Sequence, residues 1–312
     1  MIGVGITEPG VYETVTPEQY HADVAAEPSL SASLAHAIVT STPAHARLKS
    51  SRFNPKAQDA ASAAFDIGTA AHMLMTGKGR DVEVIEAADW RTKAAKEQRD
   101  DARAQGRTPM LAEQYERTAG MVEIAREAMA GAIGHNPFNR LPTELAYFWR
   151  SDMDAMCRAL ADALDVENRL IWDYKTTGEL AEPESWFKRA LNNGIDIRAV
   201  HYIDGARRIF GGEWRYICVV QETAPPHFVS FVAPPASAIE TGRRKHRRAC
   251  VLWRRALAEG VWKAWPQRIV RPDLPPWYEA QWLEREVREE HGIDRDALQK
   301  TLKTARLWQA PT

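Results

Sequence analysis

The run RLIWDYKTT, residues 169–177, places Asp173 and Lys175 two residues apart in an otherwise apolar, strand-like stretch. Side chains alternate along a strand, so Ile171, Asp173 and Lys175 share one face, and Trp172 and Tyr174 take the other. The run before it, MCRALADALDVE (156–167), has the same strand-like character, and Glu167-Asn168-Arg169 makes a tight turn between the two. Arg158, Leu160, Asp162 and Leu164 are expected on one face of that earlier strand. Pairing through the turn then sets Asp162 beside or diagonal to Asp173. Glu144, in the strand-like TELAYFWRS (143–151), offers a third carboxylate from the neighbouring strand.

Carboxylates held close in a partly apolar sheet repel one another, so the site must either raise a pKa or hold a cation. Oxygen-only ligands suit Mg²⁺ and also Mn²⁺. An ammonium beside such an ion can orient or deprotonate a water. Together these groups have the chemistry to hydrolyse a phosphodiester, with a metal on the phosphate oxygens and a basic group preparing the nucleophile. Two carboxylates flanking Lys175 push its pKa up, so its role is water positioning and charge stabilisation rather than that of a free base. The Tyr174 carbonyl can add a ligand, because hard cations accept backbone oxygens. The alternative for Asp173 and Lys175 is an ion pair on a solvated strand edge.

These groups need elements that hold them. Thr16 and Pro17 begin a short N-terminal helix, and SLSASLAHAIVTS reads as a second. AAFDIGTAAHMLMTG is expected to be a buried helix closed by Gly77, and DVEVIEA a short strand. Residues 91–107 are a solvated helix or a mobile segment, and LAEQYERTAGMVEIAREAMAG has the spacing of an amphipathic helix. After the three strands of 143–177, Pro183 opens a helix ended by Gly194, DIRAVHYIDGARRIFGG forms another, and WRYICVVQE pairs with HFVSFVAP in a hairpin. From about 235 the chain is expected to be helical and rich in arginine and tryptophan. This order argues for an α/β fold, a central mixed β-sheet flanked by helices, with helical N- and C-terminal additions. The division is a 1–60 arm, a 61–235 core and a 236–312 extension, together forming one compact domain.

The run CRALADALDVENRLIWDYKTT resembles the hairpin of the PD-(D/E)XK nuclease superfamily, whose core is restriction-endonuclease-like. More closely, the chain resembles the RecE-like exonucleases of phages and prophages, relatives of lambda exonuclease and the RecB nuclease domain. GTAAHMLM looks like the family's Gly-x-x-x-His helix and puts His72 at its histidine. TELAYFW resembles the strand carrying a glutamate, here Glu144, and CRALAD the Arg-x-x-x-Asp strand, here Arg158 and Asp162. DYKTT supplies Asp173 and Lys175, and PSLSASLAHAI resembles a Ser-x-Ser helix. The family's Gln-x-x-x-Tyr motif becomes Arg198-x-x-x-Tyr202, and its proline before the first aspartate becomes Ala161.

The resemblance implies a Mg²⁺-dependent exonuclease on linear double-stranded DNA ends, cutting 5′ to 3′ and leaving 3′ single strands for recombination. It also implies a homo-oligomeric ring and a single-strand annealing recombination protein as partner in a bacterial host, while the three scattered cysteines point to a reducing, cytoplasmic setting. Asp162, Asp173, Glu144, His72 and the Tyr174 carbonyl become the metal set, and Lys175 the group beside the water. His72 could instead be a hydrogen-bonded core histidine. Arg198 and Tyr202 become DNA contacts, with arginine trading amide-like contacts for a stronger phosphate contact. Arg158 can hold a phosphate or form a local ion pair. Arg243, Arg244, Lys245, Arg247 and Arg248 put five cations in six residues, which suits a phosphate-tracking helix or a solvated face. The C-terminal tryptophans are expected as core or subunit-interface anchors.

Bulk properties narrow the field. A net charge of −1 over 312 residues gives no global field for a polyanion, so any nucleic-acid surface is a local patch. Three cysteines at wide spacing make no disulfide framework, no zinc knuckle and no four-cysteine iron–sulfur site. The start MIGVGITEPGVYE has neither the basic nor the apolar part of a signal peptide, and no run reaches the length of a membrane span. A non-catalytic DNA-end-binding or assembly protein with a nuclease-like fold is the alternative, although such degenerate chains usually lose the lysine or an acid, and here all are present.

Overall fold

The computed structural model describes residues 5–55 and 63–290. In chain order the elements are β1 (Gly10–Tyr12), α1 (Pro17–Ala22), α2 (Ala32–Thr40), α3 (Pro43–Lys49), α4 (Ala63–Thr76), β2 (Val82–Ile85), α5 (Lys93–Ala104), β3 (Thr108–Leu111), α6 (Ala112–Ile133), α7 (Pro137–Arg140), β4 (Thr143–Arg150), β5 (Met156–Asp165), β6 (Leu170–Thr177), α8 (Pro183–Asn192), α9 (Ile195–Phe210), β7 (Arg215–Glu222), β8 (Val229–Val232), α10 (Ala236–Glu259) and α11 (Pro276–Glu290). They fall into two compact units, Met1–Ala264 and Trp265–Thr312.

The first unit is built on a six-stranded sheet of order β1-β4-β5-β6-β7-β8. Its pairings are antiparallel except β6–β7, which are parallel and joined by the α8–α9 crossover. β4, β5 and β6 read as nearly continuous apolar runs because both faces are covered. On one face, Leu145, Tyr147, Trp149, Ala159 and Ile171 pack against residues of α2, α9 and α10 such as Leu34, Ile38, Ala199, Tyr202 and Trp253. On the other, Ala163, Trp172, Tyr174 and Val219 pack against Ala71 and Met75 of α4 and Met121, Val122, Ala125 and Met129 of α6. The result is a helix–sheet–helix sandwich. A separate two-stranded parallel ladder, β2–β3, lies outside the main sheet.

The helix starts follow local chemistry. Thr16 caps α1 in a reciprocal capping box with Gln19, and Pro17 takes the first helical position. Ser31 caps α2 through Leu34 N–H. The charged stretch expected to be either solvated helix or mobile is the helix α5, which buries only Ala95 and Ala102.

Three expectations change. The N-terminal arm supplies an edge strand, β1, antiparallel to β4; at three residues it is too short to show alternation. Thr108–Leu111 forms β3, fully buried, where no strand was expected. The C-terminal region is not continuously helical: Gly260 ends α10 with φ of 64°, and helix resumes at Pro276. Pro266, Pro272 and Pro275 fall in the gap and break helical hydrogen bonding. Among the described residues no helix is long and apolar enough to cross a membrane.

Candidate active site

β5 and β6 are joined by a four-residue turn, 166–169, and pair as Asp165↔Leu170, Leu164↔Ile171 and Ala163↔Trp172. Asp165 holds the turn by accepting from the backbone and side-chain nitrogens of Asn168, both at 2.9 Å. Continuing the register would set Asp162 opposite Asp173, but the backbone ladder stops there. Asp162 Oδ2 accepts from Tyr174 N–H at 2.8 Å instead. The side chain takes the place of a ladder bond, and the space it opens is the site.

Glu144 comes from the other neighbour of β5. The β4–β5 register, Thr143↔Ala163 and Leu145↔Ala161, leaves Glu144 opposite Asp162. Glu144 has φ of 49°, a left-handed conformation that costs a glutamate of order 1–3 kcal/mol and concentrates at functional sites. The even alternation expected over Arg158, Leu160, Asp162 and Leu164 breaks at the same level. Ala161 and Leu164 both face the α9 side, whereas Leu160 packs with Phe148 on the other. The kink at Glu144 and Asp162 turns the two carboxylates toward one point.

α4 supplies His72. A Cβ at Gly68 would stand 3.2 Å from Thr176 Oγ1, so the absence of a side chain there lets the helix lie against β6. One turn later His72 Nε2 reaches Asp162 Oδ2 at 3.1 Å and Glu144 Oε1 at 3.4 Å. The end of the helix is tied down by Thr143 Oγ1, which donates to Thr76 O, and by Lys78 Nζ, which donates to Thr143 O, both at 2.9 Å. From β6, Lys175 Nζ lies 2.5 Å from Asp173 Oδ2 and 3.9 Å from Asp162 Oδ2, and donates to the Tyr174 carbonyl at 3.2 Å.

The electrostatics follow from three carboxylates in a dry place. Burial pushes Glu144 up, and the Asp162 charge adds to it, to about 7. Burial opposes charge on Asp162 too, but His72 and Lys175 outweigh it and hold its pKa below the usual range. Burial pulls His72 down, but Asp162 and then Glu144 outweigh it and raise His72 to about 9. Lys175 follows the same logic: burial lowers it, Asp173 and Asp162 more than compensate, and its pKa is raised. In this state the His72 imidazolium and the Lys175 ammonium are the counter-ions of the carboxylates.

Those counter-ions leave acceptors over. Among the described residues, Asp173 Oδ1 is buried with no donor, Glu144 Oε1 has only the long His72 contact at 3.4 Å, and Asp173 Oδ2 has only the Lys175 contact. Asp173 itself is 1 % exposed. His72, Glu144 and Asp162 each offer a ligand atom within 4.8 Å of the others. Buried carboxylate oxygens without donors fit a hard divalent cation better than they fit a hydrogen-bonded core.

The remaining expected residues divide. Arg198, in the first turn of α9, lies in the field of the site: burial lowers its pKa, but Asp173 leads the charges that raise it. Arg158 and Tyr202 do not face an open site. Arg158 is 4 % exposed, lies 3.2 Å from Asp23 Oδ1, donates to Ser29 O and Oγ at 2.5 and 2.8 Å, and sits over the Tyr20 ring. It pins the loop before α2 to β5 and leaves no guanidinium face for a phosphate. Tyr202 is buried, and its hydroxyl donates to Leu160 O at 3.0 Å, so it braces β5 from beneath. On α10, Arg243, Arg244, Arg247 and Arg248 are exposed, with Arg244 3.7 Å from Glu240. The Lys245 ammonium is tied to the buried Asp196 carboxylate at 2.7 Å. Sequence reasoning missed Gln221, which accepts from Tyr174 OH at 2.6 Å and donates to Met121 O at 2.6 Å, fixing the residue between Asp173 and Lys175 to α6. An amide in an apolar strand, VVQE, was its only sign.

No family model matches the chain, and no curated protein matches it. Among solved structures it resembles the crystal structure of a protein from Eubacterium rectale named "Putative exonuclease". The TM-score is 0.57 at 11% identity, covering 84% of this chain and 96% of that one. The two share a fold. Here that fold is a central, mostly antiparallel sheet flanked by helices.

Proposed function

We propose that this chain is a metal-dependent PD-(D/E)XK exonuclease acting on the ends of linear double-stranded DNA. One observation carries the proposal. Glu144 and Asp162 meet at His72, Asp162 and Asp173 flank Lys175, and buried oxygens of Glu144 and Asp173 are left without hydrogen bonds. The name of the E. rectale protein of like fold supports the same class of reaction.

Glu144, Asp162 and Asp173, with His72 and the Tyr174 carbonyl beside them, are the residues that would hold Mg²⁺ or Mn²⁺. The bound ion would neutralise charge on the scissile phosphate and make a water acidic enough to attack it. Lys175, kept protonated by its two aspartates, orients that water and stabilises charge developing on the phosphate. Arg198 adds a fixed positive charge to the same wall. Burial of the carboxylates keeps competing water away and strengthens each of these interactions. The exposed arginines of α10 are the candidate duplex-tracking surface.

The finer reading rests on resemblance to the RecE-like exonucleases. It comprises 5′-to-3′ resection to 3′ tails, a homo-oligomeric ring, a single-strand annealing partner and a bacterial cytoplasmic setting. The test compares linear with covalently closed duplex DNA in Mg²⁺ and in Mn²⁺. Loss of the linear form alone supports the proposal. Nicking of closed circles assigns an endonuclease. Retarded but intact linear DNA in both metals moves the assignment to a non-catalytic end-binding protein.

A further inference from the structure

A second constellation lies on the far side of β5 from His72 and takes no part in the nuclease chemistry. Cys157, His201 and His246 are 0, 0 and 5 % exposed, and each has a ligand atom within 4.8 Å of the others. Cys250, 1 % exposed, is one turn beyond His246 on α10, with Sγ 3.8 Å from His246 Nε2; it falls outside the 4.8 Å group, so a metal held by all four would draw its thiol inward. Its thiol is also near enough to that of Cys157 for each to shift the other's ionisation. The residues come from β5, α9 and α10, so no short Cys or His motif announces them.

We infer that Cys157, His201, His246 and Cys250 form a closed structural site for a soft divalent cation, Zn²⁺ by preference. The donor set is the Cys₂His₂ type of four-coordinate structural zinc. Zinc–ligand bonds of about 2.3 Å to sulfur and 2.0–2.1 Å to nitrogen imply tetrahedral edges of roughly 3.5 Å between S and N and roughly 3.3 Å between two nitrogens. The observed Cys250–His246 separation of 3.8 Å and His201 Nδ1–His246 Nε2 separation of 2.9 Å lie within half an ångström of these edges. His201 is also oriented as a ligand should be. Its Nε2 sits 2.9 Å from the Arg158 carbonyl, and donating there leaves Nδ1 with a lone pair aimed at the cluster.

Charge supports the same conclusion. Two thiolates and a divalent cation sum to zero, so the occupied site can sit in the core without a stranded charge. Binding would release the two thiol protons to solvent, while each neutral imidazole keeps its proton on the ring nitrogen that is not a ligand. With four protein donors and almost no exposure, no position remains for substrate, so the role is structural. The site would clamp α10, and the arginines on either side of His246, to the sheet through Cys157.

The test is metal analysis of the full chain purified without chelator, together with Co²⁺ substitution. The expected result is about one zinc per chain, lost in Cys157→Ser and Cys250→Ser and kept in Asp162→Asn. Co²⁺ protein should show thiolate-to-metal charge-transfer absorption, which carboxylate ligands cannot give. If the serine variants fail to fold, the Co²⁺ spectrum of the unaltered chain decides alone. Absence of both zinc and the charge-transfer band overturns the inference. Zinc that survives in both serine variants and leaves with Asp162→Asn also overturns it, by placing the metal among the carboxylates. Neither result bears on whether the chain cuts DNA.

Discussion

Titrating Ca²⁺ into the protein without DNA should reveal a site that gives up protons to take a cation. In the metal-free site Glu144 sits near pKa 7, because burial and then Asp162 oppose its charge, and His72 near 9, because Asp162 and Glu144 outweigh burial. Below pH 7 both groups carry protons that the cation must expel. Between 7 and 9 only His72 does, and above 9 neither does. Affinity should therefore rise about 100-fold per pH unit below 7, about tenfold per unit from 7 to 9, and then level off. Over pH 7 to 9 the gain is about 100-fold. Ca²⁺ serves because a hard ion selects these oxygens over the buried thiols. Calorimetry in two buffers of different ionisation heat counts the protons directly. His72→Gln should flatten the curve between pH 7 and 9 and reduce the limb below 7 to about tenfold per unit. A Ca²⁺ affinity flat from pH 7 to 9, with no proton released, would refute the claim that His72 and the carboxylates share one cation field.

Further expectations follow from the same geometry. The raised His72 pKa stabilises the metal-free fold fully below its unfolded pKa of about 6.5, and that contribution is lost as pH rises toward 9; urea midpoints without metal should fall over this window and recover with Ca²⁺. Arg158→Met leaves the Asp23 carboxylate with its Ser29 hydrogen bonds but no counter-ion and should cost about 3–5 kcal/mol by urea denaturation; unchanged stability with impaired DNA binding would restore Arg158 as a phosphate ligand. Gly205→Ala drives a Cβ to 2.6–2.7 Å from the Tyr147 and Trp149 rings and should destabilise by about 1–3 kcal/mol, read as a lower thermal midpoint. Replacing Arg243, Arg247 and Arg248 together by alanine should make the log–log salt dependence of duplex binding shallower by about 0.9 for each phosphate no longer neutralised; an unchanged slope would make that strip a solvated face.

The hairpin was legible because its chemistry and its period coincide. An apolar strand carrying Asp173 and Lys175, an upstream Asp162 and a tight turn over Glu167-Asn168-Arg169, one residue longer in the structure, specify a register with few alternatives. The helices with caps, such as α1 with Thr16 and Pro17, were legible for the same local reason. What escaped were features set by tertiary contact. β1 exists because β4 offers an edge, not because Gly10-Val11-Tyr12 has a pattern. The left-handed Glu144 and the break in alternation at Asp162 depend on two strands kinking together, which no single strand encodes. Arg158 and Tyr202 stood in motif-like positions, but side-chain direction and burial decided their partners: Asp23 and Ser29 for one, Leu160 for the other. The buried Cys157–His201–His246 group, with Cys250 beside it, spans three distant segments, so no spacing in the sequence announced it.

The central claim is that Lys175 and its carboxylates cut phosphodiesters at DNA ends. The most direct measurement follows linear duplex DNA labelled at one 5′ or one 3′ end, with Mg²⁺ or with chelator, beside a Lys175→Ala variant whose fold is verified by its thermal midpoint. The account predicts Mg²⁺-dependent release of label, the 5′ label first, abolished by chelator and reduced at least about 100-fold in the variant. Intact DNA in Mg²⁺ and Mn²⁺, or a Lys175→Ala variant as fast as the original chain, would contradict it.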